Sequence, residues 1–105
     1  MCCVLCVPLD GYPATVNAYP EAVKLVRACA TEIVGEQRSA GVQKTMGAED
    51  FSYFLEARPG AFIFVGAALP GDPRPHHKSV FDIDENSLLI SASLLVKIVR
   101  EKLFN

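Results

Sequence analysis

The chain has 105 residues, half of them hydrophobic and 21% charged, with a formal net charge of −2. That length suits one small domain or part of a larger one, and the composition is that of a folded globule rather than a disordered segment. No block of Lys and Arg occurs, which argues against nucleic acid as a partner, because neutralising phosphates needs clustered cations.

Residues 2–7 read as a short buried strand. They hold Cys2, Cys3 and Cys6, while Cys29 lies further on. No second cysteine pair and no nearby His complete a zinc spacing, so the thiols read as small hydrophobes. The apolar run is too short for a signal peptide, and Pro8 and Asp10 follow it at once. No run approaches the ~20 apolar residues of a membrane span. The expected setting is therefore cytoplasmic and reducing, with free thiols and no membrane partner.

Residues 8–17 form a turn-rich connection. A first helix is expected next, with Asn17 as N-cap and Pro20 and Glu21 in the first turn. Ala22, Val26, Cys29, Ala30 and Ile33 line one face at helical spacing, and Gly35 is the natural stop. Residues 41–44 suggest a short strand. A second helix is predicted over 48–57, with Glu49 and Asp50 at its positive end and Phe51, Phe54 and Leu55 on its apolar side.

Pro59-Gly60 breaks the chain. Residues 61–65, Ala-Phe-Ile-Phe-Val, have the continuous apolar character of a strand covered on both faces. A loop rich in Gly and Pro follows over 66–80. The last helix is expected from Asp84 or Glu85 to Leu103, capped by Asp82 with Glu85 or by Asp84 with Ser87. Leu88, Ala92, Leu95, Val99 and Leu103 make its predicted buried stripe. Alternation of strand and helix argues for an α/β fold, a partial layered sheet with helices packed on it. Chemistry in such sheets gathers beyond the carboxyl ends of the strands, here the loop after Val65.

That loop holds both histidines, His76 and His77. Imidazole is a common metal ligand, but one ion needs three or four protein ligands and adjacent side chains on an extended segment diverge. Solvent exposure in a loop is the competing reading. The Glu49–Asp50 pair could act as acid and base or as ligands, or could simply offset the helix dipole. Arg74 could grip a carboxylate in bidentate fashion, with solvent as its default partner.

Three segments occur in a fixed order: Gly11-Tyr12-Pro13-Ala14-Thr15-Val16-Asn17; Met46-Gly47-Ala48-Glu49-Asp50-Phe51-Ser52-Tyr53-Phe54, continuing to Pro59-Gly60-Ala61-Phe62; and His77-Lys78-Ser79-Val80-Phe81-Asp82-Ile83-Asp84-Glu85. Together they resemble the metal-dependent N-acyl-amino-acid amidohydrolases, the group of aminoacylases, hippurate hydrolases and auxin-conjugate hydrolases. The resemblance implies that residues 1–10 are the remnant of the last strand of a lid domain and residues 11–105 the C-terminal part of a catalytic α/β domain. It implies His77 as a metal ligand, because the last ligand of the family stands four residues before the Phe of a Phe-Asp pair, here Phe81-Asp82. His76 is left as a neighbour, and Glu49 and Asp50 are implied to position the site rather than to react.

The resemblance further implies two divalent metals per full-length active site (Zn, or Mn or Co), an N-acyl amino acid substrate and a homodimeric full-length enzyme. Its other ligands, a His-x-Cys-Gly-His-Asp-like segment, a Glu-Glu pair and a further His, are absent here, as is the general-base Glu. The expectation is thus an inactive C-terminal fragment of a metal-dependent amidohydrolase. The alternatives are a non-catalytic module that pairs with another chain, and a simple metal-binding domain built on His76 and His77 with Cys2, Cys3 or Cys6.

Overall fold

A computed structural model describes residues 11–39, 41, 44–72 and 74–104. The predicted strand over 2–7 lies outside the described residues, as does the middle of the one over 41–44. The described residues form three helices: α1 (Pro20–Val34), α2 (Ser52–Ala57) and α3 (Asn86–Phe104), with a 3-10 turn at Glu36–Arg38.

Helix α1 starts where its sequence demands. Pro20 has no N–H to lose in a first turn, and Glu21 sits near the positive end. The helix stops at Gly35, whose positive φ of 82° few other residues adopt, and whose N–H donates to Thr31 O at 2.9 Å. The N-cap position is Tyr19, with no side-chain cap bond. Asn17 is therefore not the cap. Its carboxamide serves the backbone of Phe62 instead, accepting from Phe62 N–H at 2.7 Å and donating to Phe62 O at 2.9 Å.

Helix α2 begins four residues later than predicted. Glu49 and Asp50 lie in the turn ahead of it, where Phe51 N–H donates to Glu49 Oε1 at 3.1 Å and Ser52 N–H donates to Glu49 O at 3.3 Å. Leu55 is buried, but Phe54 is 66% exposed. Phe54 instead stacks on Phe51, from which an aromatic row continues through Phe62 to Phe64.

Helix α3 packs on α1. Cys29 of α1 and Leu94 of α3 are the shielded apolar residues of this pair, 1% and 5% exposed. Lys97 of α3 reaches Glu32 of α1 at 2.6 Å and Glu101 at 3.7 Å. The packed stripe of α3 runs through Ser87, Ile90, Ser91, Leu94 and Ile98. The predicted stripe is the outward one: Leu88, Leu95 and Leu103 are 58%, 62% and 69% exposed. Apolar residues surround this helix on nearly every side, so periodicity could not single out the face that meets α1.

No strand is formed among the described residues, and the layered sheet expected from the alternating pattern is not seen there. A strand needs a backbone partner as well as apolar side chains. For Phe62, in the apolar run 61–65, that partner is the side chain of Asn17 rather than another strand. No helix among the described residues is long and apolar enough to cross a membrane.

Candidate functional site: the histidine loop

The loop after the apolar run 61–65 is closed at its base by one backbone hydrogen bond, from Asp84 N–H to Ala67 O at 2.9 Å. This makes residues 67–84 a loop whose ends meet, a geometry often used to display functional groups. A second tie lies inside it. The Arg74 guanidinium bonds the Asp72 carboxylate through Nε at 2.9 Å and the Asp82 carboxylate through Nη1 at 3.2 Å. Arg74 therefore meets two carboxylates through one nitrogen each, where solvent was the default partner and a bidentate grip on one carboxylate the alternative.

His76 and His77 stand between the two carboxylates in sequence. Both are exposed, and their rings meet edge to face with centroids 4.7 Å apart. His77 has a φ of 63°, the only positive value at a non-glycine residue among those described. The left-handed region costs an L-residue about 1–2 kcal/mol. Its effect here is to turn the chain at His77 so that the two adjacent rings do not diverge as they would on an extended segment.

On the far side of the loop, Asp82 Oδ1 accepts its neighbour Ile83 N–H at 2.9 Å. Asp84 Oδ1 accepts both the backbone and side-chain N–H groups of Asn86, at 3.0 and 2.8 Å. Of the two expected capping pairs, Asp84 secures the start of α3, though its carboxylate meets Asn86 and only its carbonyl accepts from Ser87 N–H, and it fixes the loop's exit.

Glu49 and Asp50 are not joined to the histidines in a ligand set. Among the described residues, no group of three or more His, Cys, Asp or Glu side chains could hold a metal ion. Glu49 is half-buried and its carboxylate is engaged with Phe51 N–H, while its carbonyl also accepts the Thr15 hydroxyl at 3.4 Å. Asp50 is exposed. The pair thus organises the turn ahead of α2.

Two further features were not read from the sequence. Ser52 is fully buried and its hydroxyl finds no hydrogen-bond partner among the described residues. A cleft of about 720 Å³ separates α1, residues 61–66 and the start of α3, lined by Val26, Ala30, Phe62, Phe64 and Ile90 among others. Its lining is largely aliphatic and aromatic and includes neither histidine nor the Glu49–Asp50 pair. It is a gap in packing that meets the polar loop at its exit residue, Asp84.

The donor set tests the fit of a metal. An exposed imidazole with no hydrogen bond among the described residues suits one ligand position at His77. A complete site needs three or four, and the described residues do not supply them.

Residues 5–101 match the model of peptidase family M20/M25/M40. The putative amidohydrolase YhaA of Bacillus subtilis is 41% identical over 89 residues, covering 82% of this chain and 22% of that protein. Thermostable carboxypeptidase 1 of Saccharolobus solfataricus is 35% identical over 88 residues, 79% of this chain and 21% of its own length. IAA-amino acid hydrolase ILR1-like 2 of Arabidopsis thaliana is 33% identical over 101 residues, 89% of this chain and 22% of its own. The chain thus spans about a fifth of the length of these curated relatives. No solved structure matches.

Proposed function

Because this chain belongs to peptidase family M20/M25/M40, an α/β family of metal-dependent hydrolases, we propose that it is the C-terminal part of a catalytic unit that hydrolyses N-acyl amino acids. Its contribution to the metal centre is His77. The names of the relatives support the reaction class. A putative amidohydrolase, a carboxypeptidase and an IAA-amino acid hydrolase are all named for hydrolysis, and the last for an amino acid compound.

The observation that carries the reading is the place of His77, exposed at a left-handed turn in a loop closed at both Ala67–Asp84 and Arg74–Asp82. A divalent ion of the Zn, Mn or Co type supplies Lewis acidity, polarising a carbonyl and lowering the pKa of bound water from 15.7 to about 7. This chain's part is narrower. His77 offers an imidazole nitrogen, Asp84 fixes the loop's exit into α3, and Glu49 holds the turn ahead of α2. The remaining ligands, the general base, the second metal and the dimer contact belong to the rest of the catalytic unit.

The test is hydrolysis of N-acetyl and N-benzoyl amino acids by the purified chain with Zn²⁺, Mn²⁺ or Co²⁺, beside His77→Ala. No turnover by the chain is expected, with weak Zn²⁺ binding that the substitution removes. Turnover by the chain alone, abolished in His77→Ala, would show that it builds a complete site. Zn²⁺ binding unchanged in His77→Ala would overturn the assignment of the ligand.

A further inference from the structure

We propose that Arg74 is a positioning residue for His77, holding the histidine loop in its ligand-presenting shape by bridging carboxylates on both sides of it. The inference rests on His77 being a metal ligand and goes beyond that assignment to say what orients it.

The argument starts from loop chemistry. His77 sits in a backbone conformation that an L-residue reaches only at a cost. Such a conformation persists where its surroundings over-determine it. The base bond between Asp84 and Ala67 closes the loop but lies seven residues beyond His77. That leaves a long arc, and a single base tie does not fix the torsions in its middle. Arg74 shortens the arc. Its planar fork spans Asp72 on the entry side and Asp82 on the exit side, confining His76 and His77 to the span between Arg74 and Asp82. The turn bond from Phe81 N–H to Lys78 O, at 3.0 Å, then folds the descending half of that span.

An exposed ion pair alone contributes little to global stability. The same pair, placed across a short loop, acts on local order instead. Truncation at Arg74 should therefore alter the loop without unfolding the helices. This separates positioning from a general structural role.

The experiment compares the wild-type chain with Arg74→Ala, Arg74→Lys and His77→Ala by NMR, with Zn²⁺ as the titrant. Three quantities are read: the His77 backbone torsion from chemical shifts, fast amide motion over 72–82, and the apparent Zn²⁺ Kd. In Arg74→Ala the His77 torsion should average away from the left-handed region and the loop amides should become mobile. The Zn²⁺ Kd should rise about tenfold, the low end for loss of a group that orients a ligand. The urea unfolding midpoint should stay in place. Arg74→Lys should recover part of the affinity, since a point charge can meet one carboxylate but cannot span two in a fixed plane.

An unchanged torsion, loop mobility and Kd in Arg74→Ala would overturn the proposal. A loss of affinity matched by global unfolding would also overturn it, by making Arg74 merely structural. If His77→Ala leaves Zn²⁺ binding intact, the ligand assignment itself has failed. The torsion and mobility of Arg74→Ala then still decide whether Arg74 sets the loop.

Discussion

Asn17 and Phe62 are joined by two hydrogen bonds across 45 residues, the carboxamide accepting from the N–H and donating to the C=O of one residue, at 2.7 and 2.9 Å. This is the pairing one strand residue gives another, made here by a side chain. It pins the entry to α1 against the apolar run at 61–65.

Asn17→Ala removes the partners of both Phe62 backbone groups. A net cost of about 1–2 kcal/mol is expected from two hydrogen bonds on an accessible segment. Asn17→Asp retains the acceptor but sets a carboxylate beside the Phe62 carbonyl, and should be no more stable than the alanine variant. Urea midpoints of the three chains check this order.

Ser52→Ala should act in the opposite direction. The Ser52 hydroxyl is buried without a partner among the described residues, and a buried unsatisfied hydroxyl costs about 1–3 kcal/mol. Replacing it with a methyl should raise the urea midpoint, by the equivalent of about 1 kcal/mol. A clear fall in the midpoint would show that the hydroxyl has a partner in solution.

Leu94 and Leu95 are neighbours on α3 with opposite surroundings, 5% and 62% exposed. Leu94→Ala opens a gap against α1 and should cost about 2–4 kcal/mol. Leu95→Ala should change stability by less than about 0.5 kcal/mol. Equal losses would mean that the outward face of α3 is also covered in solution.

Lys97 carries the alkaline response. The hydrogen bond and charge of Glu32 raise its pKa above the ordinary lysine value, outweighing desolvation. A raised folded-state pKa adds stability that is fully present below the unfolded-state pKa and is lost as pH rises through the folded one. Burial raises the Cys29 thiol pKa as well, which adds to the loss of stability once an unfolded thiol would ionise. The unfolding midpoint should fall with rising alkaline pH. In Lys97→Met, the part of that fall above the ordinary lysine range should disappear while the earlier thiol part remains.

Much of the helical frame was legible. Pro20 and Gly35 bracket α1 because one lacks an N–H and the other tolerates a positive φ, and both effects are local. Asp84 at the entry to α3 was legible for the same reason. What failed needed distant partners. The apolar run 61–65 has strand composition, but pairing depends on backbone from elsewhere, and Asn17 met Phe62 from 45 positions away. The face of α3 was ambiguous because Leu88 and Ile90 are both apolar and only tertiary packing chooses between them. In the site, only the family resemblance pointed to His77 over His76, and the Arg74 bridge was not read at all. Nothing local distinguishes an arginine that faces solvent from one that spans Asp72 and Asp82.

The positive φ of His77 also restricts how this position can vary. Val, Ile and Thr are poorly suited, since β-branching crowds the left-handed turn. Gly fits the backbone but brings no donor atom. Asn and Asp tolerate the turn and still present an oxygen, so the backbone shape and the ligand role proposed for His77 admit the same few replacements. A conformation that looks costly in one molecule thus acts as a filter on mutation, discarding many substitutions before any metal is involved.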